Sequence, residues 1–153
     1  MASKPTEQEI EILRFLSFLT SGHHRSEEPV LELCGIGPRT PKSPLWEGYA
    51  GGPKGVVSGW FNDLKKAADL ACRTDRYGAQ GVYVILNACD RALLSRANHR
   101  LKAAISRSKD SEILVISHLL IDVDPVRAEG ISSSDPEHEA ALDLIKQIEK
   151  YLE

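Results

Sequence analysis

Several features that define whole classes of protein are scarce or missing in this sequence. It has three cysteines in 153 residues, Cys34, Cys72 and Cys89. The number is odd and no two lie close together, so neither a disulfide framework nor a zinc ribbon is encoded, and each thiol is expected as a small apolar residue in a reducing compartment. No apolar run approaches the ~20 residues that span a bilayer. The opening MASKPTEQEIEILRFLSFLT carries three early glutamates and lacks the basic-then-apolar order of a signal peptide. These absences point to a cytoplasmic chain with no membrane partner. Internal repeats and low-complexity tracts are missing as well. Charge of one sign is also lacking: 19 Lys plus Arg stand against 22 Asp plus Glu, a net charge of -3. That total argues against a simple electrostatic coat on nucleic acid, although a total hides distribution. What remains, 42% hydrophobic and 27% charged residues, is globular composition with enough length for about one domain and a real core.

The pattern along the chain alternates helical and strand signals. Thr6 and Glu9 have capping-box spacing, and Ile12, Leu13, Leu16 and Leu19 follow at helical intervals, which predicts a first helix over 6–20 closing near Gly22. Val30 to Ile36 reads as a strand. Proline and glycine in GPRTPKSP and GYAGGPKG then impose an irregular loop. Gly55 to Phe61 reads as a second strand, leading into a helix from Asn62 or Asp63 to Arg76 that stops at Gly78. GVYVILN, 81–87, is continuously apolar, as a central strand covered on both faces requires. Asp90 can cap a helix running to Ser106 along Leu94, Ala97, Leu101, Ala104 and Ile105. ILVISHLLIDVD, 113–124, is the strongest strand signal and is stopped by Pro125. Ser134, Pro136 and Glu137 open a last helix whose stripe is Ala141, Leu144, Ile145, Ile148 and Leu152. The order αββαβαβα predicts an α/β or α+β fold, a mixed sheet of about four strands flanked by about four helices. Residues 1–25 read as an N-terminal helix and linker, and 26–153 as the α/β core.

The end of the 113–124 run carries the most chemistry. In a strand Asp122 and Asp124 point to the same side, about 7 Å apart along the backbone, while Ile121 and Val123 face the other way. Two carboxylates held side by side repel, and a divalent cation offsets the repulsion; hard oxygen donors favour Mg2+ or Mn2+ over zinc. The plain alternative is a solvated strand end with Asp124 capping the next turn. Two other acid-pair chemistries compete, the metal-binding pair of a nucleotide-sugar transferase and the aspartate pair of a phosphatase; the latter fits less well, because a small or hydroxyl residue normally follows the second acid, where this chain has Pro125.

Asp122-Val123-Asp124-Pro125-Val126-Arg127, followed by Gly130-Ile131-Ser132-Ser133-Ser134-Asp135, closely resembles the first catalytic motif of the archaeo-eukaryotic primase superfamily. The resemblance is to its bacterial and phage primase-polymerase members. Looser matches stand upstream in the same order: Ser58-Gly59-Trp60-Phe61, Gly81-Val82-Tyr83 through Leu86-Asn87, and Leu93-Leu94 with Arg96, Ala97, Asn98 and Leu101. Together they span roughly residues 50 to 145. The resemblance implies the N-terminal part of a primase/DNA polymerase domain, a nucleotidyltransferase serving DNA replication or repair of a phage or mobile element. Its partners would be template-primer nucleic acid and nucleoside triphosphates. Asp122 and Asp124 would be the catalytic metal ligands, with Mg2+ or Mn2+ activating a 3′-hydroxyl and binding the incoming triphosphate. Arg127 would touch phosphate or hold the acidic loop, with a salt bridge to Glu129 or Asp135 as the plain alternative. The family's second motif, a Ser-Gly turn with a histidine, and its third acid are not in this sequence, and His138 does not match. Catalysis by this chain alone is therefore open. The resemblance implies a missing C-terminal half, or else a truncated, non-catalytic relative that binds nucleic acid or a protein partner.

Arg91, Arg96, Arg100, Lys102, Arg107 and Lys109 fall on the predicted 90–106 helix and its exit with no acid between them, whereas 128–153 holds seven acids and two lysines. Arg96, Arg100 and Lys102 could contact a nucleic-acid backbone, or form a solvated face paired with the acidic last helix. His118 precedes Asp122 by four positions, on the same strand face, where it could approach the acids or be a packed histidine. Gly51-Gly52-Pro53-Lys54-Gly55 lacks the ending of a phosphate loop and reads as a turn. Trp46, Tyr49, Trp60 and Phe61 could stack a base or pack internally. An open sheet edge would favour a homo-oligomer.

Overall fold

The chain runs α1 (Glu7–Ser21), β1 (Leu31–Ile36), β2 (Trp46–Glu47), β3 (Val56–Phe61), α2 (Leu64–Arg76), β4 (Gly81–Val84), β5 (Leu101–Ala103) and α3 (Asp135–Leu152), with 3-10 turns at Arg91–Ser95 and Asp110–Glu112. The computed structural model describes residues 4–21, 28–37, 46–47, 55–103, 106–124 and 130–153, with the backbone alone at 46–47. The expected closure of the first helix at Gly22 lies outside them. The chain divides into two compact units, Met1–Leu119 and Leu120–Glu153. The first holds the sheet with α1 and α2; the second holds α3.

The fold is α+β. Sheet order is β2-β5-β3-β1-β4, antiparallel throughout except that the two-residue β2 runs parallel to β5. Alternation along β1 and β3 explains why these two strands form its middle. Leu31, Leu33, Val57 and Phe61 face α1 and α2, and pack with Leu16, Ala67, Ala68, Ala71 and Leu101. Trp60 points to the other face, against Val30, Cys89, Leu93 and Ala97. Fully burying one such large side chain is worth about 1.5–3 kcal/mol, so two facing clusters account for the centre of the sheet. Asp63 caps α2 by accepting from the Lys66 amide at 3.1 Å, and Thr6 and Glu9 cap α1 reciprocally. α3 opens on the Ser134–Glu137 capping box, with Pro136 in its first turn.

Three expectations need correction. The continuous apolar run 81–87 predicts a central strand, but β4 is an edge of four residues, and Tyr83 on it is exposed. The run continues beside β1 only through single contacts, Ile85 N–H to the Glu32 carbonyl and Cys89 N–H to the Val30 carbonyl. The helix expected over 90–106 is also not formed. Asp90 caps as expected, accepting from the Ala92 amide at 2.8 Å, but the chain makes one 3-10 turn and then β5. Its backbone is diverted to β3: the Trp60 amide donates to the Ala97 carbonyl, the His99 amide donates to the Trp60 carbonyl, and His99 takes a left-handed φ of 51°. Of the expected stripe, Ala97 and Leu101 are buried and Leu94 is half-buried, with Leu93 taking the buried place instead; Leu101 joins the helix-side cluster, Leu93 and Ala97 join the Trp60 cluster, and Ala104 and Ile105 lie outside the described residues. Among the described residues three α-helices therefore replace the four expected.

The third correction concerns 113–124, which forms no strand. Hydrophobicity and alternation set a strand's faces, but a ladder also needs a neighbour whose backbone runs alongside. β4 stops at Val84, and among the described residues the Cys89–Ile113 bridge is the one ladder contact this run makes. Leu119 and Leu120 stay 80% and 75% exposed.

The three cysteines are free and buried, as expected of apolar packing residues. Burial pushes each thiol pKa up; the Ser58 hydroxyl opposes this at Cys34, and the Ser108 hydroxyl at Cys89. Because the thiolate is the reactive form, labelling by an aromatic disulfide reagent is expected to stay slow from pH 7 to about 9 in the folded chain, and to reach three thiols on unfolding. Rapid labelling of any thiol at pH 8 would contradict this packing.

Candidate functional site

Asp122 and Asp124 lie in the second unit, on chain assigned to neither helix nor strand, and both are exposed. Ile121 lines a shallow groove of about 420 Å³ with Ile145, Ile148 and Leu152 of α3, rimmed by Glu149 and Glu153. Val123 is more buried than the acids on either side of it. Ile121 lines this groove yet stays 44% exposed, and Asp122 and Asp124 are exposed residues on either side of the half-buried Val123. The donor set consists of hard oxygens, which suits Mg2+ or Mn2+ with waters filling the remaining positions. Pro125, Val126 and Arg127 lie outside the described residues. Gly130 has a φ of 79° with open space around it. A left-handed residue there turns the chain towards Ser134, whose amide and hydroxyl both donate to Glu137 Oε2.

His118 belongs to the first unit. Its ring meets Phe18 of α1 edge-on at 5.4 Å, and its Nδ1 is buried with no hydrogen-bond partner among the described residues. This is a packing environment. Among the described residues no three His, Cys, Asp or Glu side chains gather into a metal-binding group.

The basic residues separate once the helix expected to carry them is gone. The Arg96 guanidinium stacks over Trp60 at 5.5 Å to the ring centroid and pairs through both terminal nitrogens with Glu112. Its charge therefore serves the Trp60 cluster. Arg100 sits in the tight turn crossing β3, and Lys102 lies opposite Ser58 on β5, half-buried. Arg107 Nε lies 3.5 Å from Glu32 Oε1. Trp60 and Phe61 are fully buried, which removes both as base-stacking residues; the Trp46 side chain and Tyr49 lie outside the described residues.

Glu32 is 2% exposed on β1, an acid set within an apolar run that carries no periodic polar signal. Its Oε2 accepts the Ser108 amide at 2.9 Å, and the Ser108 hydroxyl accepts from Trp60 Nε1 at 2.9 Å. This polar hub ties the loop at 106–109 to the middle of the sheet. A lone acid in Val30-Leu31-Glu32-Leu33-Cys34 was the available signal. Asn87 is a second omission: its carboxamide binds backbone at Ser117 and His118.

Hydrogen bonds from Arg96 and from the Lys109 amide hold the Glu112 carboxyl below its ordinary range. A depressed folded pKa contributes stability above the unfolded value near 4.5, lost as pH falls through the folded value. Glu112→Gln is accordingly expected to flatten this part of the acid limb of a stability–pH profile below about pH 4.5. An unchanged acid limb would show that the pair with Arg96 does not form. No family model matches the chain, and neither does any curated protein or solved structure.

Proposed function

We propose that this chain carries the first metal-binding motif of a primase-polymerase-type nucleotidyl-transfer domain, with Asp122 and Asp124 as the ligands of Mg2+ or Mn2+. The observation that carries the reading is the run Asp122-Val123-Asp124-Pro125-Val126-Arg127 with Gly130-Ile131-Ser132-Ser133 behind it. Supporting it, Asp122 and Asp124 are exposed residues two positions apart, so binding a hydrated cation there would bury little charge. A bound cation would supply charge neutralisation for the triphosphate and lower the charge on the attacking hydroxyl. The chain's own acids would hold and orient that charge, and the second and third motifs would have to come from residues outside this sequence. Template-directed incorporation with Mg2+ or Mn2+, measured on a chain that also carries the second motif, is the test. Asp122→Ala with Asp124→Ala abolishes incorporation, and retained incorporation overturns the reading.

A second reading, a non-catalytic module that binds a protein or nucleic acid, is favoured by exposed apolar surface at Leu119, Leu120 and Ile131 and along α3, which has no buried residue. Normal metal-independent binding of its partner by the double aspartate variant would select this reading.

A further inference from the structure

α3 opens on its own capping box and runs 18 residues, yet none of them is buried. Ala141, Ile145, Ile148 and Leu152 recur every three or four residues, so they share one side of the helix. Ile145 stays 44% exposed and Leu152 66%. Ile121, in the same compact unit, lines the groove with Ile145, Ile148 and Leu152. An apolar trough of about 420 Å³ along a helix, open to water, is the kind of surface on which the side-chain ridge of another helix seats. Every polar residue lining it is an acid: Glu149 and Glu153, one helical turn apart. Both are exposed and neither has an ion pair among the described residues, the nearby Lys146 being paired with Asp143 at 2.9 Å.

We propose that this groove is the docking site of an amphipathic helix from another protein, one that sets Lys or Arg beside its apolar anchors. The inference rests on the second reading above, the non-catalytic module, and names the chemistry of its partner. Charge decides between occupants. Residues 135–153 hold six acids and two lysines, so a second copy of the chain would set acids against acids along this face. A nucleic-acid backbone would meet the same repulsion. A basic helix instead pairs its cations with Glu149 and Glu153 while its anchors cover Ile145, Ile148 and Leu152. The apolar contact supplies affinity, and the acids on the rim select the sign of the partner's charge and fix its register.

The test titrates the full chain, in EDTA at about 0.15 M salt, into two fluorescein-labelled helical peptides about five turns long. Their leucines are identical, at i, i+3, i+4 and i+7; Lys and Arg flank them in one peptide and Glu in the other. Anisotropy is expected to show the basic peptide bound at least about tenfold tighter, which is what two exposed attractions turned into two repulsions amount to. Glu149→Lys with Glu153→Lys alters exposed positions and should invert that preference. Glu139→Lys with Asp143→Lys makes the same change of charge at residues that do not line the groove, and should leave the basic peptide preferred. Equal binding of the two peptides, or none, overturns the proposal, as does a preference that the second pair of substitutions inverts as readily as the first. A dimer in sedimentation that Ile148→Asp dissolves gives the face to a second copy and overturns it too. These outcomes leave the second reading standing, because Leu119, Leu120 and Ile131 lie outside the groove. That reading fails separately: binding that appears only when Mg2+ replaces EDTA makes the module metal-dependent, whichever peptide is preferred.

Discussion

Gly59→Ala is expected to destabilise the protein by about 3 kcal/mol or more, among the larger effects a single methyl can have. An added Cβ would stand 1.9 Å from the Arg100 carbonyl oxygen and 2.9 Å from its carbon, and both are backbone atoms that no rotamer change can move. The crowding arises because the 97–100 turn is bonded to β3 on either side of Trp60. Removing a glycine from a strand ordinarily gains about 0.5–1 kcal/mol, so the sign of the effect is as informative as its size. Urea unfolding followed by tryptophan fluorescence measures it. Equal or greater stability would mean that the chain does not cross Gly59, and that residues 90–106 could form the helix their periodicity suggests.

The largest functional effect is expected from Asp122→Asn combined with Asp124→Asn. The replacements keep side-chain shape, and both positions are exposed, so stability should change by no more than about 0.5 kcal/mol. Removing both anionic donors should nevertheless weaken Mn2+-dependent binding of a nucleoside triphosphate about 100-fold or more, because a hard cation held by carboxylates keeps little affinity for two neutral carboxamides. Calorimetry on the wild-type and double-variant chains reads this difference. Undiminished binding by the double variant would transfer the metal role to other residues.

The capped elements could be read from the sequence because their signals are local. Thr6 with Glu9, Asp63, and Ser134 with Glu137 act within one helical turn, and each cap is formed. β1 and β3 were legible because their residues are buried from both sides. The failures share one cause, competition for backbone partners by distant chain. Leu94, Ala97 and Leu101 have helical spacing, but β3 takes backbone groups of Ala97 and His99. Apolar content marks 113–124 as a strand, and among the described residues its one ladder contact is the bridge of Ile113 to Cys89. For the same reason Glu32 and Asn87 gave no periodic signal: each is defined by backbone that reaches it from far along the chain, at Ser108 for Glu32 and at Ser117 and His118 for Asn87.

The most direct test of the metal assignment is a Mn2+ titration of the isotope-labelled wild-type chain followed by amide spectra. Mn2+ broadens signals near its binding site even when affinity is weak. The acid pair predicts that the amides of 121–124 and of Gly130 to Ser133 broaden first, ahead of those near the other exposed acids of α3, and that added Mg2+ reverses the broadening. Broadening spread evenly over Asp135, Glu139, Asp143 and Glu149, with none centred on Asp122 and Asp124, would contradict it.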